Sequence, residues 1–243
     1  AGGPMRMVMG DGPRANMKDL EMKLETRDIS KGLNFALTGK AIAVAEGGER
    51  QPGRIDVKGS VVELVNAQNV LEAKSGKLRM NADVTDAPTA LADVLVNMQG
   101  LLVDALGPQM KAKIDAENFS RNTGRIEARI DTTNGFLDAF VQGREDTLRT
   151  RKDKPIKAEL EITPPLRKRL LQKIHPVLAD VRTTEQPLRI TMSNLVSPRD
   201  GDMRKLNADI EITIGKVEFD SGSTTLKLLS FFNQKNREVI PGE

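Results

Sequence analysis

Very few side chains in this 243-residue chain have the type and spacing that catalysis requires. His175 is the only histidine, and Asp180 follows it by five residues, a spacing that does not bring two side chains together on a helix. No GxSxG elbow occurs, and neither a cysteine nor a second histidine is present to complete a metal site. The sequence therefore predicts no catalytic residue, no metal and no cofactor, and an ordinary helix-face position for His175.

Two pairs of acidic residues have a spacing that suits acid–base chemistry. Glu159 and Glu161 form one pair, and Asp209 and Glu211 form the other. A spacing of two residues places both carboxylates on one face of a strand, where close carboxylates can share a proton. Both pairs also alternate with Ile or Leu, as the wet face of an amphipathic strand does. We therefore predict cross-strand Lys or Arg partners for these acids.

A basic cluster is the strongest polar feature of the sequence. The members that we select as candidates for contact with lipid head groups are Arg149, Arg151, Lys152, Lys154, Arg167 and Arg169. Grouped Lys and Arg side chains attract anionic phosphates at close range. The alternative interpretation is a solvated hairpin and helix start, because Glu145, Asp146 and Asp153 dilute the positive charge.

The composition narrows the possible partners of the chain. Its 37 basic and 34 acidic residues leave a net charge of +3, too small an excess to indicate nucleic-acid binding. Trp and Tyr are absent, which removes the usual stacking platforms for single-stranded nucleic acid. No uncharged apolar run reaches the roughly 18 residues that a membrane-spanning helix needs, so we predict no transmembrane span in this segment.

The chain is predicted to form one domain after a short entry segment. Residues 1–16 are rich in Gly and Pro and are predicted to be flexible, whereas residues 17–240 are predicted to form a single β-rich domain. The opening AGGPMRMVMGDGP resembles the interior of a longer protein. We therefore expect this domain to be a fragment of a parent chain that is anchored in a membrane.

Alternating hydrophobicity predicts most of the secondary structure. Leu20, Met22 and Leu24 face one way along a strand, and similar alternation recurs at 33–37, 55–65, 78–84, 110–116, 126–130, 156–162 and 188–192. A longer strand is predicted at 208–219, with a β-bulge at Gly215 that reconciles its two halves.

Two segments instead show the spacing of an amphipathic helix. The first runs from Leu91 to Leu106 and ends at Gly107-Pro108. The second runs from Leu166 to Val181, with Thr163 as a capping residue and an interruption at Pro176. A shorter helix is also expected near 226–232. The predicted fold class is α+β and β-rich, a curved antiparallel sheet of amphipathic strands with two or three helices on its apolar face.

The aliphatic positions of the helices and of the long strand are either core residues or the lining of a ligand groove. The candidates for contact with lipid are Leu91, Val94, Leu95, Met98, Leu102, Leu170, Ile174, Leu178, Ile210, Ile212 and Ile214. An open aliphatic sheet face without polar catalytic groups suits acyl chains.

Several segments resemble AsmA-like, bridge-like envelope proteins. They are ALGPQMKAKIDAENFSRNTGRIEARIDTTNG, HPVLADVRTTEQPLRITMSN, LNADIEITIGKVEFDSG and TTLKLLSFF. The likeness covers roughly 91–232 and resembles the later part of such proteins. It implies long curved sheets with an apolar inner face, anchored in the inner membrane and extending through the periplasm. It also implies a link to phospholipid traffic and outer-membrane assembly, other envelope proteins as partners, and no catalytic residues.

Two functional hypotheses follow. The first is a non-enzymatic envelope domain that binds or guides lipid acyl chains along the aliphatic sheet face. The alternative is a structural or protein-interaction module, in which the helices fill the concave face completely and no ligand binds. The two hypotheses differ in whether the apolar face is open or filled.

Overall fold

The fold is mostly antiparallel β-sheet with short helices, which confirms the predicted β-rich α+β class. The computed structural model describes residues 5–7, 14–45, 48–49, 52–65, 70, 76–96, 99–120, 122–172, 181–184, 186–198 and 203–219. The curvature predicted for the sheet stays a prediction.

Thirteen strands of the described residues belong to one sheet. They are β1 Met5–Met7, β2 Arg14–Glu25, β3 Leu33–Ala45, β4 Gly48–Glu49, β5 Gly53–Val62, β6 Lys77–Pro88, β7 Gln109–Phe119, β8 Arg125–Thr132, β9 Gly135–Arg144, β10 Thr147–Arg149, β11 Ile156–Leu160, β13 Leu188–Pro198 and β14 Asn207–Thr213. β12, Val181–Thr184, and β15, Val217–Phe219, pair with each other in a second, two-stranded sheet. β1 and the start of β2 lie within the predicted entry segment 1–16, and the predicted domain boundary stays a prediction.

The large sheet is a meander in which each strand pairs with its predecessor and successor along most of the chain. The order is β1, β2, β3, β5, β6, β7, β8 and β9. β10 and β11 then share one position, because each pairs with β9 on one side and with β13 on the other. β14 completes the series beside β13. Such a meander needs only local connections between antiparallel neighbours.

Four β-bulges keep the apolar side chains on one face of the sheet. One extra residue enters β2 between Lys18 and Glu21, and further bulges interrupt the β6–β7 ladder twice and the β13–β14 ladder once. The inserted segments contain Asp19, Asp86, Asn118 and Asn194, each with a positive φ near 50°. Asp and Asn tolerate this left-handed conformation better than most residues. Each bulge changes the phase of the alternation, as between Met17 and Met22.

The helix predicted from Leu91 to Leu106 is wrong as a single element. The chain instead forms α1, Thr89–Val96, and α2, Leu101–Leu106, with Gly100 in a left-handed conformation before α2. Asp93 of α1 is almost completely buried, with only 2% of its residue surface exposed. Its carboxylate accepts hydrogen bonds from the backbone N–H of Gly100 at 2.5 Å and of Leu102 at 2.8 Å. Asp93 therefore satisfies donors at the start of α2 that the broken helix would otherwise leave unpaired.

The predicted cap of the second helix is confirmed. α3 spans Pro164–Leu166, and the Thr163 hydroxyl accepts a hydrogen bond from Leu166 N–H at 3.3 Å. The helix then changes into a π-helical turn over Arg167–Leu171. The continuation of this helix through His175 and Pro176, and the helix predicted near 226–232, lie outside the described residues.

The long bulged strand predicted at 208–219 is wrong. β14 ends at Thr213, and β15 begins at Val217 and pairs with β12 instead of continuing in the large sheet. Gly215 lies between the two strands, so the change of phase in the sequence marks a change of sheet and not a bulge within one strand.

Two buried clusters include residues from the helices. The first contains Ala90 and Leu91 of α1 together with Met17, Ala41, Ile55 and Ala87 from the sheet. The second contains Ala105 of α2 and Leu166 of α3 together with Leu160 and Leu188. Gly53 lies against the first cluster, where a Cβ atom would come within 2.4 Å of the Ala87 Cα. Only glycine permits this approach of β5 to the end of β6.

Replacing Asp93 tests the connection between α1 and α2. We expect Asp93→Ala to lower the free energy of unfolding by about 2 kcal/mol, because two buried N–H groups lose a charged acceptor. Urea denaturation followed by circular dichroism measures the change. Asp115→Ala, which removes an exposed carboxylate from β7, is the matched control. Equal stability of the two variants would contradict the proposed role of Asp93.

Candidate functional site

Three rows of apolar residues cross the large sheet on one face. Residues directly opposite each other on neighbouring strands share a face, so the register identifies the members of each row. The inner row is Ile55, Val84, Ala112, Ile130, Leu137, Ala158, Ile190 and Ile212. The middle row is Met22, Leu37, Val57, Ala82, Ile114, Ala128 and Ala139. The outer row is Leu24, Phe35, Gly59, Met80, Ala116, Ile126 and Val141.

These apolar rows form a nearly unbroken aliphatic surface. Phe35 is their only aromatic member, and its ring lies beside Gly59, where a Cβ would come within 2.6 Å of a ring carbon. The middle and outer rows each cross seven strands, about 30 Å at the usual strand spacing. Each row carries no charged side chain. This face is the most extensive candidate binding surface in the described part of the chain.

Parts of this apolar surface are open to solvent. Met22 is 63% exposed and Leu24 is 55% exposed at the β2 side of the sheet. At the other side, Ile210 and Ile212 of β14 are 56% and 50% exposed. Between them, Ala82, Ala112 and Ala116 are buried, whereas Ala128, Ala139 and Ala158 are half-buried.

The structure places the predicted lipid-facing residues in different environments. Ile210 and Ile212 lie on the apolar face of β14, whereas Leu91 is buried in the first cluster with α1. Val94 and Leu102 are half-buried on α1 and α2, and Ile214 packs against the second cluster. Leu95 and Leu170 lie in helical segments, but their side chains are outside the described set. Met98, Ile174 and Leu178 lie outside the described residues.

The opposite face of the sheet is polar and rich in ion pairs. One row across it contains Asp83, Lys113, Arg129, Asp138 and Lys157 at directly opposite positions. The Asp131 carboxylate accepts a hydrogen bond from Arg129 and raises the pKa of that guanidinium. Opposite charges face each other in the Asp83–Lys113, Arg129–Asp138 and Asp138–Lys157 pairs of this row, which stabilises strand pairing, whereas Lys113 and Arg129 carry the same charge.

Glu159, Asp209 and Glu211 belong to this polar face, whereas Glu161 follows the end of β11. Glu159 lies directly opposite Arg189, whose Nε donates to its carboxylate at 3.2 Å, so the predicted cross-strand partner is confirmed at this position. Asp209 instead accepts a hydrogen bond from the Asn194 side-chain amide at 2.5 Å. The Glu159 contact gives that carboxylate a structural partner of opposite charge.

Residues 150–155 leave the sheet between β10 and β11 and form a short excursion. Arg149 of β10 pairs with Gln142 of β9, and Lys157 of β11 pairs with Asp138 of β9. The chain therefore advances eight positions from β10 to β11 while β9 advances only four. Thr150 holds the start of the excursion through hydrogen bonds with the Leu195 backbone.

The excursion covers Phe140 on the polar face. The Lys154 ammonium lies 4.8 Å and the Arg151 guanidinium 5.5 Å from the centre of the Phe140 ring, which is only 5% exposed as a residue. Lys154 also contacts Glu127 at 2.9 Å, the residue directly opposite Phe140. Arg151 binds Asp153 and holds the pKa of that carboxyl below its ordinary range.

The remaining basic candidates do not form one site with the excursion. Arg149 contacts Glu145 at 3.6 Å in the β9–β10 hairpin. Arg169 instead joins two helices, donating to the Asp104 carboxylate at 2.5 Å and to the Gln99 carbonyl at 2.6 Å. Arg167 is half-buried in the π-helical turn, and Lys152 is exposed at the tip of the excursion. The predicted head-group contacts are therefore distributed over separate places, and those of the excursion lie on the polar face.

Sequence reasoning missed Phe136 and Phe140 as members of the polar face. Both alternate in phase with Asp138, and Arg129 lies 4.1 Å from the centre of the Phe136 ring. The signal in the sequence is the spacing, because Phe136, Asp138 and Phe140 are two residues apart and therefore share a face of a strand. In the described ranges, no group of three or more histidine or acidic residues is arranged to hold a metal ion. Across those same ranges, no helix combines the length and hydropathy needed to cross a bilayer.

Comparison with family models, curated proteins and solved structures found no match to this chain. The resemblance to AsmA-like envelope proteins therefore stays a prediction.

The pKa of Asp153 leads to a prediction about acid stability. Because Arg151 lowers this pKa in the folded protein, the contact stabilises the fold above the pKa of an unfolded aspartate and loses this effect as the pH falls below about 4. We expect Asp153→Asn to show a shallower loss of stability between about pH 4 and pH 2 than the unmodified protein. Thermal unfolding across this range is the measurement.

Asp83→Asn is the control for this experiment, because it removes a carboxylate from the same face at a distance from the excursion. An unchanged pH profile in Asp153→Asn would contradict a stabilising Arg151–Asp153 contact.

Proposed function

We propose that this domain binds or guides lipid acyl chains along the apolar rows without catalysing a reaction. The observation that supports the proposal is the continuous aliphatic face, with Met22, Leu24, Ile210 and Ile212 at least half exposed. Acyl chains need apolar contact and no directional polar partner, and each buried methylene contributes about 0.8 kcal/mol.

The chemistry of the apolar rows favours acyl chains over a protein partner. Protein interfaces usually place Trp, Tyr and Arg at their energetic centres. The apolar rows contain none of these residues, and Phe35 is their only aromatic side chain. Flexible hydrocarbon chains can adapt to a surface of alternating large and small aliphatic groups, such as Ile114 between Ala82 and Ala128.

We further propose that α1, α2 and α3 close one end of a curved apolar face and leave its other end open. The two buried clusters support this arrangement. They include Ile55 of the inner row, and Val84 and Ile190 pack against them. Among the described residues, Val57 is the only member of the middle or outer row that packs against either cluster.

The alternative is a structural or protein-interaction module of an envelope protein. That hypothesis requires the helices to fill the apolar face, whereas the composition of the buried clusters favours a partial cover. In the lipid hypothesis, we place the parent protein in the cell envelope, with the periplasm as the compartment of this domain.

A charge introduced on the open face tests the lipid hypothesis. We expect Met22→Glu to weaken the binding of cis-parinaric acid to the delipidated protein by about tenfold, because an acyl chain on the middle row would bury an unpaired carboxylate. The fluorescence of the probe on titration with protein measures the affinity. Met22 is 63% exposed, so the substitution leaves no cavity in the core.

Ala36→Glu is the matched control, because it introduces the same charge on the polar face. Ala36 lies directly opposite Lys23 and Lys58, and it is also next to Leu37 of the middle row in the chain. Equal weakening in both variants, or no binding by the unmodified protein, would overturn the proposal. Mass spectrometry of lipids that co-purify with the domain gives an independent measurement.

A further inference from the structure

β14, Asn207–Thr213, is the outermost strand of the large sheet on the side away from β1. Among the described residues it pairs only with β13, so the backbone N–H and C=O groups along its outer edge have no strand partner there. Its seven residues present an edge of about 23 Å at the usual rise per residue. An open edge of this kind can accept a further strand through main-chain hydrogen bonds.

β14 lacks most of the features that close a strand edge to further pairing. Proteins protect edges with very short strands, with proline, with lysine or with bulges. No proline, glycine, lysine or arginine occurs in NADIEIT, the sequence of β14. The bulge in its ladder with β13 lies between Ser193 and Val196, near one end of the strand. β1, at the opposite edge of the described sheet, is only three residues long, so β14 is the edge better suited to a partner.

The two faces of β14 differ in chemistry. Ile210 and Ile212 lie on the apolar face and are 56% and 50% exposed. Asp209 and Glu211 lie on the polar face, and both are exposed. A strand added beside β14 continues both faces of the sheet, because directly opposite residues share a face. A suitable partner strand must therefore carry apolar side chains beside the isoleucines and polar side chains beside the acids.

The sheet does not neutralise the two carboxylates of β14. Ser193 lies opposite Asp209 on β13, and Thr191 lies opposite Glu211, so neither acid has a basic residue directly opposite it. Asp209 accepts its hydrogen bond from the neutral side-chain amide of Asn194 at 2.5 Å. In the described part of the chain, the Glu211 side chain has no hydrogen bond or ion pair. Two negative charges therefore lie along the polar side of the open edge.

These carboxylates disfavour a second copy of the chain as the partner strand. The longest antiparallel pairing of two copies of β14 would place Ile210 opposite Ile210, and Asp209 of one copy opposite Glu211 of the other. Like charges at directly opposite positions destabilise a strand pair, whereas opposite charges stabilise it. The charge of the edge therefore favours a partner strand with lysine or arginine at these positions.

We propose that β14 binds an extended segment of a partner protein, in which basic and aliphatic residues alternate, as an added antiparallel strand. The basic side chains face Asp209 and Glu211, and the aliphatic side chains lie beside Ile210 and Ile212. Main-chain hydrogen bonds supply the affinity of such an added strand, and the alternating side chains supply its specificity. The added strand does not require lipid binding, and it lengthens the inner row by one residue beside Ile212.

Two labelled heptapeptides test the proposal with the full chain. TVKVKVT, acetylated and amidated, places a lysine opposite each acid when it pairs antiparallel with all of β14. TVVKKVT has the same composition without the alternation. We expect TVKVKVT to bind about fivefold more tightly than TVVKKVT, and the double variant Asp209→Asn, Glu211→Gln to weaken its binding about fivefold, because two exposed charge pairs are lost. Fluorescence anisotropy of the peptide measures the affinity.

The double variant Asp83→Asn, Asp115→Asn is the matched control, because it removes two carboxylates from the polar face on β6 and β7, away from β14. We expect this variant to bind TVKVKVT as tightly as the unmodified protein does. Thermal unfolding verifies that both double variants fold.

Hydrogen exchange measured by mass spectrometry locates the bound peptide. We expect exchange to slow in β14 and not in β1 when TVKVKVT binds, because the outer backbone N–H groups of β14 become paired. Equal affinity for the two peptides, equal weakening in the two double variants, or unchanged exchange in β14 would overturn the proposal. Sedimentation of the free protein as a dimer that is paired through β14 would assign this edge to a second copy instead.

Discussion

The architecture depends on keeping apolar side chains on one face across a wide antiparallel sheet. Side chains alternate with a period of two, so an uncorrected shift of one residue moves a strand's apolar side chains to the wrong face. The sheet corrects such shifts at Asp19, Asp86, Asn118 and Asn194, where bulges with a positive φ insert single residues. Without these insertions, Met17 and Met22 would lie on opposite faces. Short polar side chains therefore determine where the aliphatic surface lies.

The same alternation separates the chemistry of the two faces. Charged residues that are adjacent in sequence to the apolar rows necessarily point to the other face, where Glu159 meets Arg189 and Lys154 meets Glu127. These pairs are exposed and each contributes little to stability, but together they keep the polar face hydrated and specify the strand register. The basic residues between β10 and β11 take part in this organisation. Their number in the sequence reflects the composition of the polar face.

Local patterns predicted the strands well because each strand shows its own alternation. β7, β8, β11 and β13 could be recognised from sequence, as could the cap at Thr163. Features that depend on distant contacts could not. The helical spacing of apolar residues continues past Gln99 and Gly100, so the sequence predicts one helix. The buried hydrogen bonds of Asp93, which the spacing does not show, accompany the division into α1 and α2. Likewise, the phase change at Gly215 suggested a bulge within one strand. That prediction failed because β15 pairs with β12, which is far away in the sequence.

A sheet with an aliphatic face that is only partly covered has a specific thermodynamic consequence. Its ladders satisfy the backbone, but apolar surface at Met22, Leu24, Ile210 and Ile212 stays exposed. Any ligand that binds this face only in the folded state stabilises the fold in proportion to the logarithm of its concentration. Binding of such a ligand would therefore be coupled to folding through the same side chains. An acyl ligand would supply the apolar contacts that a second layer of secondary structure provides in a closed β-sandwich.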